Sequence, residues 1–152
     1  MAIRPNFDIR AIERYIKEET EKTEKAFIRA LNYIGEKAVI EARRSQQYKD
    51  RTGNLRNSTG YVVVKDGQII NSVFDQNHNA NRGYPGRKNG KAVGRALALQ
   101  LAGNFPKGLA LIVVAGMKYA SYVESKGRNV LTSSERLAQR EVPRILNEIV
   151  RG

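Results

Sequence analysis

The feature that most constrains this fold is a change of period inside Arg51-Thr52-Gly53-Asn54-Leu55-Arg56-Asn57-Ser58. Upstream, apolar residues recur at three- and four-residue steps, as on one side of a helix; downstream they form a strand-like run. Gly53 can take positive φ, end the helical segment and redirect the chain. Leu55 is the one apolar residue of the octet, so it pins the crossing to the core, and Arg51 and Arg56 bracket it with fixed positive charge. Thr52, Gly53, Leu55 and Arg56 are therefore the expected structural hinge between an α regime and a β regime.

Before the hinge, Asp8 reads as an N-cap, with Phe7 and Ile12 as a hydrophobic staple. A helix is expected from there to about Arg44. Ile9, Ile12 and Ile16 fall on one face, and Phe27, Leu31, Ile34 and Ala38 continue the stripe. Between the two patches lies Lys17–Lys25, almost wholly polar, with Glu18–Lys22 and Glu21–Lys25 spaced as i,i+4 pairs. Either the helix breaks near Thr20, or its first third packs on another subunit. The second reading is favoured, because an isolated Ile9/Ile12/Ile16 stripe needs something to bury it.

After the hinge, strands are expected over about 58–65 and 68–74, joined by a type I′ turn at Asp66-Gly67. Val62 and Val64 face one way, Tyr61 and Val63 the other, so both faces of this hairpin are expected to be covered. Residues 75–90 read as a long loop. A helix is predicted over about 91–102, with Val93, Leu97 and Leu101 as its stripe and Ala96 and Ala98 filling beside it. Leu109–Ala115 is the most apolar strand and the expected sheet centre. Thr132 with Glu135 forms a capping box for a last helix over about 133–150. Its apolar face is Leu137, Val142, Ile145, Leu146, Ile149 and Val150, and Pro143 is expected to kink it near Gln139. The predicted fold is a single α+β domain over residues 1–152, with a basic loop–helix insertion at about 75–108. A long N-terminal helix and a C-terminal helix pack on a small, mostly antiparallel β-sheet.

Charge is segregated along the chain. The net charge is +12, yet residues 1–41 hold 8 basic and 8 acidic side chains, whereas residues 42–123 hold 13 basic and 3 acidic. From Gln76 to Val123 there is no Asp or Glu. Such a segment suits a polyanion or an acidic protein. Arg82, Arg87, Lys88, Lys91 and Arg95 are its sharpest cluster. They either face DNA, adding sequence-independent affinity by counterion release, or form a solvated loop. No recognition helix or stacking sheet accompanies them, so sequence-specific readout is not expected.

Several chemistries lack their residues. The chain has no cysteine, which removes disulfides and thiolate metal sites and fits a cytoplasmic origin. His78 is the sole histidine and sits in a polar loop without a second ligand nearby. Gly83–Lys91 fails the Walker A spacing. Asp50, Asp66 and Asp75 are far apart in turns, unlike a two-carboxylate site. No catalytic residue, cofactor or metal is therefore expected, and no apolar run is long enough to span a membrane. The N-terminus carries no apolar signal core, so export by the general route is not expected. Tyr119 and Tyr122 are candidates for a subunit contact, since tyrosine is favoured in interface cores, or for capping the sheet. Arg56 either pairs with Glu124 or a neighbour's carboxylate, or stands exposed.

The octet Arg51–Ser58 resembles the threonine-glycine-x-leucine-arginine-x-serine signature of small structural proteins of tailed phages and prophages. These are the neck, or tail-completion, proteins of the head–tail connector. Tyr119-Ala120-Ser121-Tyr122-Val123-Glu124 is similar to that family's tyrosine-alanine-x-tyrosine-valine-glutamate, with Gly127 close behind. The resemblance spans most of residues 25–150. Two departures stand beside it: Asn129-Val130-Leu131 replaces a common proline-phenylalanine-leucine segment, and the 75–104 insertion is longer and more basic than in the family.

The resemblance implies a ring-forming subunit of the virion neck or upper tail, made in the bacterial host cytoplasm before assembly. Its partners would be copies of itself, adjoining connector or tail proteins, and DNA passing through the lumen. The rival from another class is a small non-specific nucleic-acid-binding protein acting off the virion; an enzyme is a distant third.

Overall fold

The computed structural model describes residues 8–44, 54–74, 89–116 and 131–151. The chain begins with α1 (Ile9–Arg44), which runs through Thr20 without a break. Asp8 caps it: its carboxylate accepts from the Arg10 N–H at 3.0 Å, and its carbonyl accepts from the Ile12 N–H at 3.1 Å. Phe7, the other half of the expected staple, lies outside the described residues. Lys22 pairs with Glu19 at 3.3 Å rather than with Glu18. Both groups are exposed, so the pair adds only tenths of a kcal/mol.

A four-residue helical turn, α2 (Asn54–Asn57), leads into β1 (Thr59–Lys65) and β2 (Gln68–Val73). Asp66 and Gly67 both take positive φ, 49° and 81°, as a type I′ turn requires. Asp66 also fastens the turn to the loop before the third strand. Its N–H donates to the Gly108 carbonyl at 2.9 Å, and its carboxylate accepts from the Gly108 N–H at 2.8 Å. Then follow α3 (Gly90–Ala102), β3 (Leu109–Ala115) and α4 (Thr132–Arg151).

The sheet is wholly antiparallel, in the order β2-β1-β3. Its centre is β1, not β3 as the apolar run of Leu109–Ala115 suggested. Strand β1 is buried from Thr59 through Val64, whereas β3 is mostly half-buried. Apolar content misled here: centrality comes from pairing on both edges, and β1 has it with only four large apolar residues. Between Val63 and Val64 the β2 register slips, leaving Ile70 as a bulge, 45% exposed.

Both faces of β1 are covered, as its residues required. Val62 and Val64 pack with Phe74, Ala98, Ala102, Ile112 and Val114 beneath α3. Tyr61 and Val63 pack with Val39 and Leu31 beneath α1, joined by Leu111 and Val113. Each valine, leucine, isoleucine or phenylalanine among them that is removed from water contributes about 1.5–3 kcal/mol, far above any surface ion pair here. The line of α3 that meets the sheet is Gly90, Gly94, Ala98 and Ala102, while Ala96 is exposed. The expected stripe of Val93, Leu97 and Leu101 is only half-buried beside it. Small residues win that line because they let helix and sheet backbones approach closely.

Helix α4 lies along α1 and continues through Pro143. Ser134 anchors it: buried to 1%, its hydroxyl donates to the Ala38 carbonyl of α1 at 2.5 Å. Leu137, Val142, Ile145, Leu146 and Ile149 are half-buried, but Val150 is 76% exposed and leaves the predicted face. Arg144 bridges Glu141 at 2.6 Å and Glu148 at 3.1 Å. The hydrogen bond from Arg144 holds the Glu141 carboxyl below its ordinary pKa of 4.5. The folded state therefore binds this proton more weakly than the unfolded chain. The stabilisation is present above pH 4.5 and is lost as pH falls through the lowered folded value. Thermal melts of Glu141→Gln are expected to lose less stability than the parent on going from neutral pH to about pH 3; parallel profiles would contradict the linkage.

Candidate assembly surface

The sequence offers three candidate elements: the hinge, the N-terminal stripe and the basic cluster. At the hinge, Leu55 is 1% exposed and holds the crossing in the core, as its isolation in a polar octet implied. Its carbonyl accepts two side-chain hydrogen bonds, from the Ser58 hydroxyl at 2.8 Å and the Thr59 hydroxyl at 3.0 Å. The Ser58 carbonyl in turn accepts the Gly116 N–H at 3.1 Å, tying the turn to the end of β3. Arg43, at the end of α1, donates to the Thr59 carbonyl at 2.9 Å. Leu55 and Ser58 are thus a packing knob and a backbone clamp. Arg56 is exposed, while Asn57 beside it is buried. Thr52 and Gly53 lie outside the described residues. Leu55→Ala is expected to cost about 2–5 kcal/mol, read as a fall in urea midpoint at unchanged m-value.

The sequence reading missed the roles of Ser58, Thr59, Arg43 and Ser134. Hydroxyls three and four residues after a buried leucine are a legible cue to back-bonding on its carbonyl. Nothing local marks Ser134, whose partner is 96 residues away.

The stripe is an arm. Residues 8–23 are exposed without exception, and among the described residues α1 meets the body only from Glu24 onward. Glu24 sits at that departure point and forms an ion pair with Lys65 at the end of β1. That hydrogen bond raises the Lys65 pKa above its ordinary value. Further along α1, Asn32 accepts from the Asn71 side chain of β2. On the arm itself Ile9 is 63% exposed, Ile12 41%, Tyr15 63% and Ile16 58%. A shallow groove continues the stripe between Ile16, Thr20, Thr23 and Phe27. Tyr15 was not among the predicted members; it flanks the isoleucines one helical position away.

Of the basic cluster, Lys91 is half-buried and Arg95 exposed, one turn apart on α3. Asn89 caps that helix, its side chain accepting the Lys91 N–H at 3.0 Å. Arg82, Arg87 and Lys88 lie outside the described residues, as do Tyr119, Tyr122 and Glu124. Helix α3 covers the sheet face opposite α1, so Lys91 and Arg95 are on the other side of the sheet from the helix that carries the arm.

Among the described residues no cluster of three or more His, Cys, Asp or Glu could hold a metal ion. No helix among them is long and apolar enough to cross a membrane. Tyr61 is the one described side chain whose hydroxyl is buried with no recorded partner, and burial raises its pKa, with Glu36 adding to the shift. Comparison of the chain with family models, with curated proteins and with solved structures finds no match.

Proposed function

We propose that this protein is a structural subunit of a phage or prophage head–tail connector or tail-completion ring. It assembles by subunit–subunit contacts, with DNA passing through the lumen. The observation that carries this reading is the arm: a continuous helix that leaves the body at Glu24 and exposes Ile9, Ile12, Tyr15 and Ile16 to solvent. Burying such a row is worth several kcal/mol in sum, and the isolated fold leaves that free energy for a partner. Leu55 and Ser58, which carry part of the resemblance, hold the hinge. The function needs no bond chemistry; surfaces pair, a ring closes, and a head joins a tail. In this reading the protein acts in the virion, at the neck or upper tail, beside other connector or tail proteins.

Electron microscopy of concentrated protein tests it. The expected result is rings of uniform subunit number with a central opening. Compact monomers or dimers decorating duplex DNA would instead favour a small non-specific nucleic-acid-binding protein. That alternative draws on Lys91 and Arg95 and on the acid-free stretch from Gln76 to Val123.

One prediction follows from the charge map, for dispersed rather than assembled protein. Replacing Arg82, Arg87, Lys88, Lys91 and Arg95 with Ser or Gln is expected to leave folding intact. It should flatten the log–log salt dependence of DNA binding by about 4–5 units if all five neutralise phosphates. An unchanged slope would remove them from any DNA contact.

A further inference from the structure

We propose that the arm of one copy docks along the outer face of α3 of the next copy, so that the ring is closed by a head-to-tail helix–helix contact. This deepens the ring reading and rests on it for the presence of a second copy. Four observations on the two surfaces point to that pairing.

The first is apolar complementarity. The outer side of α3 exposes Ala92, Arg95, Ala96 and Leu99, spaced as one helical stripe. Leu99 is 67% exposed, and Phe105, just past the helix end, is 43% exposed. Alanines at two of the four positions leave room for the arm's isoleucines to pack as ridges into grooves. The second is charge. The arm is neutral over Ile9–Thr23, but by helical spacing Glu13 and Glu19 flank the isoleucine stripe, while Arg10, Arg14, Lys17 and Lys22 lie away from it. Helix α3 carries Lys91 and Arg95 and no acidic residue.

The third is length: Ile9–Thr23 spans about 22 Å and α3 about 20 Å. The fourth is placement. The arm belongs to the helix on one face of the sheet, and α3 covers the other. Two different patches can pair reciprocally in a closed dimer or head to tail; their place on opposite faces of the sheet favours the head-to-tail contact, which repeats into a ring when the rotation closes and into a filament when it does not. A single helix pair of this size falls below the ~800 Å² per partner of a stable binary complex. Each contact is therefore weak alone, and closure, which gives every copy both contacts, stabilises the assembly.

The absence of cysteine from the chain makes the test clean. Ile12→Cys and Ala96→Cys variants, each otherwise complete, are mixed at concentrations where the parent associates and are oxidised with a mild disulfide catalyst. The expected product is a mixed dimer of one variant with the other, reversed by reductant. The double variant should give a ladder of covalent oligomers. Arg95→Glu should cut the mixed yield by up to about fivefold, and Glu19→Arg in the arm variant should restore part of it.

Homodimers of Ile12→Cys alone would overturn the proposal in favour of arm-to-arm pairing. So would the absence of a mixed dimer at millimolar protein. Rings seen by microscopy without the mixed product would discard this contact and leave the ring reading standing. The mixed product in open filaments without rings would do the reverse.

Discussion

Gly94→Ala is expected to lower the melting temperature by about 4–8 °C. Gly94 lies on the line of α3 that meets the sheet, where a Cβ would stand 2.4 Å from the Ser58 carbonyl oxygen and 2.8 Å from the Phe74 ring. From the other side, a Cβ on Gly116 would meet the Gly94 Cα at 2.5 Å. The Ser58 carbonyl cannot retreat cheaply, because it holds the Gly116 N–H. Overpacking of this kind costs about 3 kcal/mol. The better helix propensity of alanine offsets about 1 kcal/mol. A net loss near 2 kcal/mol corresponds to that shift in a domain of this size.

Gly103 is the control. It caps α3 with φ −62°, and its Cβ would be 3.6 Å from the nearest atom, the Gln100 carbonyl oxygen. Gly103→Ala is expected to be neutral or to stabilise by up to ~1 kcal/mol. Calorimetry that found equal shifts for the two would refute the close contact of α3 with the hinge.

The second large effect falls on assembly rather than folding. Replacing Ile9, Ile12 and Ile16 together with Gln should leave the melting temperature within about 3 °C of the parent. The three side chains are 41–63% exposed in the isolated fold, surface substitutions usually stay within ±0.5 kcal/mol, and Gln is at least as good a helix former as Ile. Association, in contrast, should be abolished at every concentration where the parent oligomerises. Size-exclusion chromatography beside thermal melts separates the two. A variant that still assembles would show that the arm is an exposed helix without a partner. One that unfolds would show that the stripe packs on its own body.

The arm could be foreseen because its logic is local. An apolar stripe separated from the core stripe by Lys17–Lys25 cannot share one intramolecular partner with it. Leu55 was legible for a similar reason, as the lone apolar residue in a polar turn. The Asp66-Gly67 turn was legible because only a few residues tolerate its backbone. What escaped the sequence was set by tertiary contact. The buried line of α3 runs through Gly90 and Gly94, which no hydrophobicity pattern marks; it shows only when the sheet is seen pressing on it. The central strand was misjudged because β3 has the longer apolar run, although β1 alone is paired on both edges. Of the candidate site, Ile9, Ile12 and Ile16 lie on one helix as expected, and Lys91 and Arg95, read as DNA-facing or as a solvated loop, fall on α3. That the arm and α3 lie on opposite sides of one sheet needed the fold.

The central claim is that this chain completes itself only by joining copies of itself. Solution mass by light scattering, across a concentration series at low and moderate salt, tests it most directly. The account predicts a discrete closed oligomer whose mass stops growing once formed. A strict monomer at every concentration that nonetheless binds duplex DNA tightly would contradict it, and would make the basic segment rather than the arm the working surface.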